Sequence, residues 1–193
     1  MFHCYSEAEA IDYVTEGFGK NAGRDFATLT HPALKSDVFR LYRMYLEGGL
    51  YVDADSLPGK DVQDFLKVSD GNVWISAMTQ VPNCVAMNWF IAAPAQHNLI
   101  GEFLETALRN VASPEGRGIF WLAGPGALTQ ALYELGEVEG LQILSNHQLK
   151  AGLFRQIDAA YKKTEKNWRV FEHHKGVDNS AGLSFALEGL YGG

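Results

Sequence analysis

Apolar residues recur every three or four positions along two stretches of the amino-terminal quarter, and each stretch predicts a helix. In the first, Ala8, Ile11, Tyr13 and Val14 follow Ser6, whose spacing to Glu9 is that of a capping box, so a helix is expected over 7–16, ahead of Gly17 and Gly19. In the second, Leu34, Val38, Leu41, Tyr42, Tyr45 and Leu46 define a helix within 30–47 that stops at Gly48-Gly49. Leu50, Tyr51 and Val52 then make a short β-prone run ending in Asp53-Ala54-Asp55, and Pro58-Gly59 closes the segment. Two further apolar runs, 73–78 and 85–93, read as strands, the second broken by a single polar residue, Asn88. Helical spacing returns over 97–111 and, after Gly124-Pro125-Gly126, near 127–135. Residues 141–144 and 168–171 are short strand candidates. The alternation predicts one layered α/β domain over 1–193, with a Rossmann-like, mostly parallel sheet and helices on both faces.

Composition narrows the partners. With 193 residues, 47% of them hydrophobic and 20% charged, the chain suits one globular core and not a disordered or fibrous protein. Sixteen Lys and Arg against 23 Asp and Glu give a formal net charge of −7, a field that repels polyanions and argues against nucleic acid as a partner. Cys4 and Cys84 are too far apart in sequence for a ligand-spaced cluster, so neither a disulfide framework nor a structural zinc site is expected. No leader pattern or long apolar run is evident, and the expectation is a soluble, cytoplasmic protein.

The acidic strand end carries the chemistry. Ligands of open α/β sheets gather at the carboxyl ends of strands, and Asp53 and Asp55 stand at such an end. On extended backbone, residues two apart share a face, so both carboxylates would enter one crevice and repel unless a cation neutralised them. A hard divalent ion, Mn²⁺ or Mg²⁺, takes one or two carboxylates and fills its shell with water and phosphate oxygens. The plain alternative is a solvated Asp-rich turn before Pro58-Gly59.

The segment 35–55 runs Ser36-Asp37, Arg40 three residues on, a Leu-Tyr helix, Gly48-Gly49, then Leu-Tyr-Val and Asp-x-Asp. In this order and spacing it resembles glycosyltransferase family 32, the DXD-motif sugar transferases that include capsular, lipopolysaccharide-type and mannosyltransferase-like enzymes. Downstream, Asn88 within its apolar run, the Gly124-Pro125 helix start and His173-His174 resemble further family segments. The resemblance implies a GT-A-like fold and transfer of a sugar, with retention of configuration, from a UDP- or GDP-sugar to a saccharide or lipid-linked acceptor. It also implies polysaccharide biosynthesis, and the acidic surface and lack of a transmembrane span extend the expectation to a cytoplasmic enzyme at the inner membrane face, with peripheral membrane contact. The family's usual opening strand, with its Ile-His-x-Ile-Trp segment, has no counterpart before Ser6, so the sheet is expected to be compact or to lack that strand.

By the same resemblance Asp53, Asp55 and Arg40 form the catalytic set, Asp37 and Arg40 contact donor-sugar hydroxyls, and Asp53 binds donor and shares the metal with Asp55. One of His173 and His174, which alternate along a strand, would add a metal ligand. Each role has an ordinary counterpart. Asp37 and Arg40 have the spacing of an intrahelical ion pair, Tyr51 can stack on donor or pack in the core, and Asn88 needs a hydrogen bond from backbone or ligand. Gly124 lines the donor pocket or simply starts a helix. Two other readings of the whole chain are a sugar-nucleotide-binding or partner-binding protein without turnover, and an aspartate-dependent phosphatase, for which Ser56-Leu57 is a poor match.

Overall fold

A computed structural model describes residues 4–68, 71–80 and 83–158. The strand expected at 168–171 and the pair His173-His174 lie outside the described residues. In chain order the elements are α1 (Glu7–Ala27), α2 (Pro32–Glu47), β1 (Gly49–Val52), β2 (Ser56–Pro58), α3 (Val62–Val68), β3 (Val73–Gln80), β4 (Asn83–Ala93), α4 (Asn98–Ala112), α5 (Ile119–Leu122), α6 (Pro125–Leu135), β5 (Leu141–Ser145), α7 (Asn146–Gln148) and β6 (Phe154–Gln156), with a π-helical turn over Leu149–Leu153.

The α/β expectation is met, but the sheet is not mostly parallel. Its order is β1-β4-β3-β5, with β1–β4 and β3–β4 antiparallel and β3–β5 alone parallel. Connection length explains both outcomes. Only residues 81 and 82 separate β3 from β4, far too few for the crossover that a parallel pair requires, whereas α4, α5 and α6 intervene between β4 and β5 and bring the chain back in the parallel sense. A second, two-stranded antiparallel sheet joins β2 to β6.

Helix α1 begins with the capping box of Ser6 and Glu9 but runs well past 16. Gly17 does not stop it, because a Cβ there would come within 2.4 Å of Leu46, and the missing side chain lets α2 pack close. Gly19, at φ 89°, bends the helix without ending it. Helix α2 ends as expected at Gly48 (φ 62°), where a Cβ would lie 2.7 Å from the Ala93 carbonyl oxygen. That close approach sets β1 directly beside β4.

The sheet separates two apolar layers. On one face Ile91, Ala93, Val73 and Ile75 pack under α1, α2, α4, α5 and α6, with Val38, Leu41, Phe103 and Leu104 fully buried. On the other, Phe90 and Ala92 meet Phe65 of α3, Leu149 and Phe154 in a smaller cluster. Helices thus lie on both faces, and the larger layer holds the buried face of α2, from which Asp37 and Arg40 reach the sheet. Among the described residues, no helix is long and apolar enough to cross a membrane.

Candidate functional site

Strand β1 ends at Val52 and the chain turns at once. The Asp53 amide donates to the Trp89 carbonyl at 2.9 Å, and the Ser56 amide donates to the Asp53 carbonyl at 2.9 Å, closing a turn over 53–56. The two aspartates therefore do not lie on extended backbone, and the expectation that they share a strand face is corrected: Asp favours turns, and the Ser56 bond makes one here. The side chain of Asp53 is 39% exposed, whereas Asp55 is 4% exposed, so the turn carries one solvated and one buried carboxylate.

Arg40 is the centre of the site. Its Nη2 lies 2.5 Å from Asp37 Oδ1, its Nη1 donates to the Asn88 carbonyl at 2.9 Å and stands 3.6 Å from Asp53 Oδ1, and its guanidinium carbon lies 4.2 Å from the centre of the Tyr51 ring. The i, i+3 ion pair read from the sequence is present, yet with both side chains buried it is more than a surface pair. Tyr51 does two jobs: its ring covers the guanidinium and its hydroxyl donates to Asp53 Oδ1 at 2.9 Å. Arg40 Nε, also buried, has no hydrogen-bond partner among the described residues.

Burial sets the electrostatics. Desolvation pushes the Asp37 carboxyl up to about 6, against the pull of Arg40 and with a push from Asp53, while the Asn88 amide holds it down at a 3.4 Å hydrogen bond. Burial also raises the Tyr51 phenol in spite of Arg40, which keeps it a protonated donor to Asp53. The Arg40 guanidinium, pulled down by burial, is held up on balance by Asp37, Tyr51 and Asp53.

Asn88 enters through a bulge that the sequence reading missed. Ile75 of β3 pairs with Ile91, but the next residue, Ser76, pairs with Met87, so residues 88–90 of β4 are looped out of the β3 ladder. The excursion turns the Asn88 carbonyl to Arg40, and the amide reaches Asp37. The lone polar residue in an apolar run was the only local signal of it.

Gly124 is the N-cap of α6, packed against the end of α5 so tightly that a Cβ would stand 3.0 Å from the Phe120 carbonyl oxygen. An ordinary helix entry accounts for that position. A cavity of about 430 Å³, lined in part by Gly49, Leu50, Leu66 and Lys67, opens at the far end of β1 from Asp53 and does not coincide with the Arg40 cluster. No group of three or more His, Cys, Asp or Glu arranged to hold a metal occurs among the described residues. The oxygen donors Asp53 and Asp55 still suit a hard divalent ion that completes its shell with water and substrate phosphate.

The stretch that builds much of the site resembles a known family. Residues 6–79 match the family model described as the glycosyltransferase sugar-binding region containing DXD motif. That stretch contains Asp37, Arg40, Tyr51 and both aspartates of the turn, and supports a glycosyltransferase relationship for the part of the chain that builds the site. A solved structure named PaToxG Glycosyltransferase is similar at 24% identity and a TM-score of 0.41, over 65% of this chain and 40% of that one. The chain therefore spans less than half of that structure's length. No curated protein matches.

Proposed function

We propose that the chain is a metal-dependent glycosyltransferase of the family 32 type, moving a sugar from a UDP- or GDP-sugar to a saccharide or lipid-linked acceptor. The observation that carries this is the buried Arg40, which joins a carboxylate of α2 to the first carboxylate of the DXD turn. Asp37 and Asp53, each fixed by Arg40, present acceptor oxygens to the hydroxyls of a donor sugar, and the exposed side of Asp53 leaves the approach open. Asp53 and Asp55 would hold Mn²⁺ or Mg²⁺, which supplies Lewis-acid neutralisation of the diphosphate leaving group.

Retention is what the family resemblance implies, and the way the carboxylates are used favours one route to it. Asp37 is tied to Arg40 and Asn88, and Asp53 to Arg40 and Tyr51, so neither suits a covalent nucleophile. Attack by the acceptor hydroxyl on the face that the leaving group departs, with its proton passing to a leaving-phosphate oxygen, needs no protein nucleophile. Burial of Asp55 favours a second reading, donor binding without turnover.

A thermal-shift screen of UDP- and GDP-sugars with and without Mn²⁺, followed by turnover assays, tests both. One donor at 100 times its dissociation constant should stabilise the fold by about 2.7 kcal/mol. The shift should need Mn²⁺ and vanish in Asp55→Ala. Binding without turnover would select the second reading, and no response to any sugar nucleotide would end both.

A further inference from the structure

The β4 bulge does more than interrupt a ladder. Its first two residues turn consecutive carbonyls onto the site: that of Asn88 accepts from Arg40 Nη1 at 2.9 Å, and that of Trp89 accepts from the Asp53 amide at 2.9 Å. The guanidinium and the head of the DXD turn thus hang from one short excursion of backbone, and their separation depends on where it is held.

Two side-chain hydrogen bonds hold it, one to Ser76 of β3 and one to Asn146 of α7. Ser76, fully buried on β3, donates its hydroxyl to the Met87 carbonyl at 3.0 Å, just before the bulge. Trp89, 5% exposed, donates Nε1 to Asn146 Oδ1 at 2.9 Å. An indole nitrogen only donates and an amide accepts only through oxygen, so this bond also fixes which way the Asn146 amide points. Asn146 is the first residue of α7, where a capping box between Ser145 and Gln148 pins the backbone around it. Since β5 is locked in parallel register to β3, with Ser145 opposite Ala77, Asn146 is a fixed post and not a mobile loop residue.

We propose that Asn146 is a positioning residue for the Arg40 and Asp53 site: through the Trp89 indole it fixes the bulge whose carbonyls hold both groups. Bulges beside functional sites re-aim what they carry, and a supporting partner that acts through another residue sets geometry without touching substrate. The kinetic consequence rests on the transferase reading; the structural one does not.

The full chain is compared with Asn146→Leu, which removes the acceptor at similar size, and Asn146→Asp, which keeps an acceptor oxygen. Without ligand, the NMR resonances of the Trp89 indole, the Asp53 amide and the Arg40 Nε–H should all move in Asn146→Leu and stay near their original positions in Asn146→Asp. With the donor found by the screen above, Asn146→Leu should raise donor KM about tenfold or more with kcat little changed, and Asn146→Asp should restore it. Should Asn146→Leu not fold, Trp89→Phe removes the donor of the same bond and should move the Asp53 amide and Arg40 Nε–H resonances and raise donor KM in the same way. An indole resonance that moves while those of Asp53 and Arg40 stay put overturns the proposal, as does equal impairment in Asn146→Asp. If the unaltered chain responds to no sugar nucleotide, the transferase reading falls and the resonances alone decide the role of Asn146.

Discussion

Among the described residues two arginines each gather more than one carboxylate, and their surroundings could hardly differ more. Arg109, 41% exposed on α4, reaches Glu134 at 2.5 Å, Glu105 at 3.3 Å, Glu102 at 3.4 Å and the Thr106 hydroxyl at 3.0 Å. Arg40, 8% exposed, has two carboxylates, one carbonyl and one ring. By number of ionic partners the surface network is the richer. Yet exposed ion pairs are screened by water and add about 0–1 kcal/mol each, whereas a desolvated pair cannot lose a member without stranding the other. Burial, and not the length of the partner list, separates a site from a solvated lattice of charges.

Removing Arg40 is accordingly the most damaging change. Arg40→Met leaves Asp37 buried without its cation, and urea unfolding should show a loss of about 3–5 kcal/mol, with donor binding abolished. The double variant Arg40→Met, Asp37→Leu should recover much of that stability and none of the binding, a non-additivity that only a coupled buried pair gives. Arg40→Lys keeps the charge but cannot meet the Asn88 carbonyl and the Asp37 carboxylate with one planar fork, and should bind donor poorly while folding well.

Acid acts on the same pair from the other partner. Asp37 titrates near about 6 when folded, against an ordinary 3.8. Between those values the folded chain keeps a proton that the unfolded chain has released, so the contribution of Asp37 to stability is complete below 3.8 and is lost as pH rises through about 6. Donor binding should run the opposite way, falling below about pH 6 as Asp37 is neutralised and its hold on Arg40 weakens. Asp37→Asn should flatten both trends, measured as unfolding free energy and donor affinity from pH 4.5 to 7.5. Around Arg109 the shifts oppose one another, burial raising the Glu102 carboxyl while the Gln130 and Arg109 hydrogen bonds lower that of Glu134, so no comparable reversal should appear.

How far the sequence reveals this contrast depends on the range of the interactions. Helix α2 and strand β1 are legible because local periodicity and a terminating glycine pair specify them, and the pairing of Asp37 with Arg40 follows from helix geometry alone. Strand direction is not local. The short link between β3 and β4 implied a hairpin, but alternating elements favoured parallel strands, and connection length is the stronger constraint. The same limit hides β2 and β6, three-residue strands that meet from distant parts of the chain. The bulge at 88–90 is hidden too, since Asn88 and Trp89 acquire their partners Arg40, Asp53 and Asn146 only when the sheet forms. Gly17 misleads for a related reason: read alone it ends a helix, and packed against Leu46 it permits one to continue.

Smaller changes sharpen the comparison. Tyr51→Phe keeps the ring over Arg40 and deletes only the hydroxyl that donates to Asp53. Donor affinity should fall by about tenfold or more, with the thermal midpoint nearly unchanged because Asp53 can turn to water. Arg109→Ala lies at the bottom of the scale. It removes three ion pairs at once, but the Arg109 end of each is exposed to water, and Gln130 still donates to Glu134 at 2.8 Å, so the loss should stay within about 1 kcal/mol and shrink further in high salt. Donor affinity should not change. A loss as large as that of Arg40→Met would mean that the α4 and α6 network is a second desolvated centre, and the distinction drawn between the two arginines would fail.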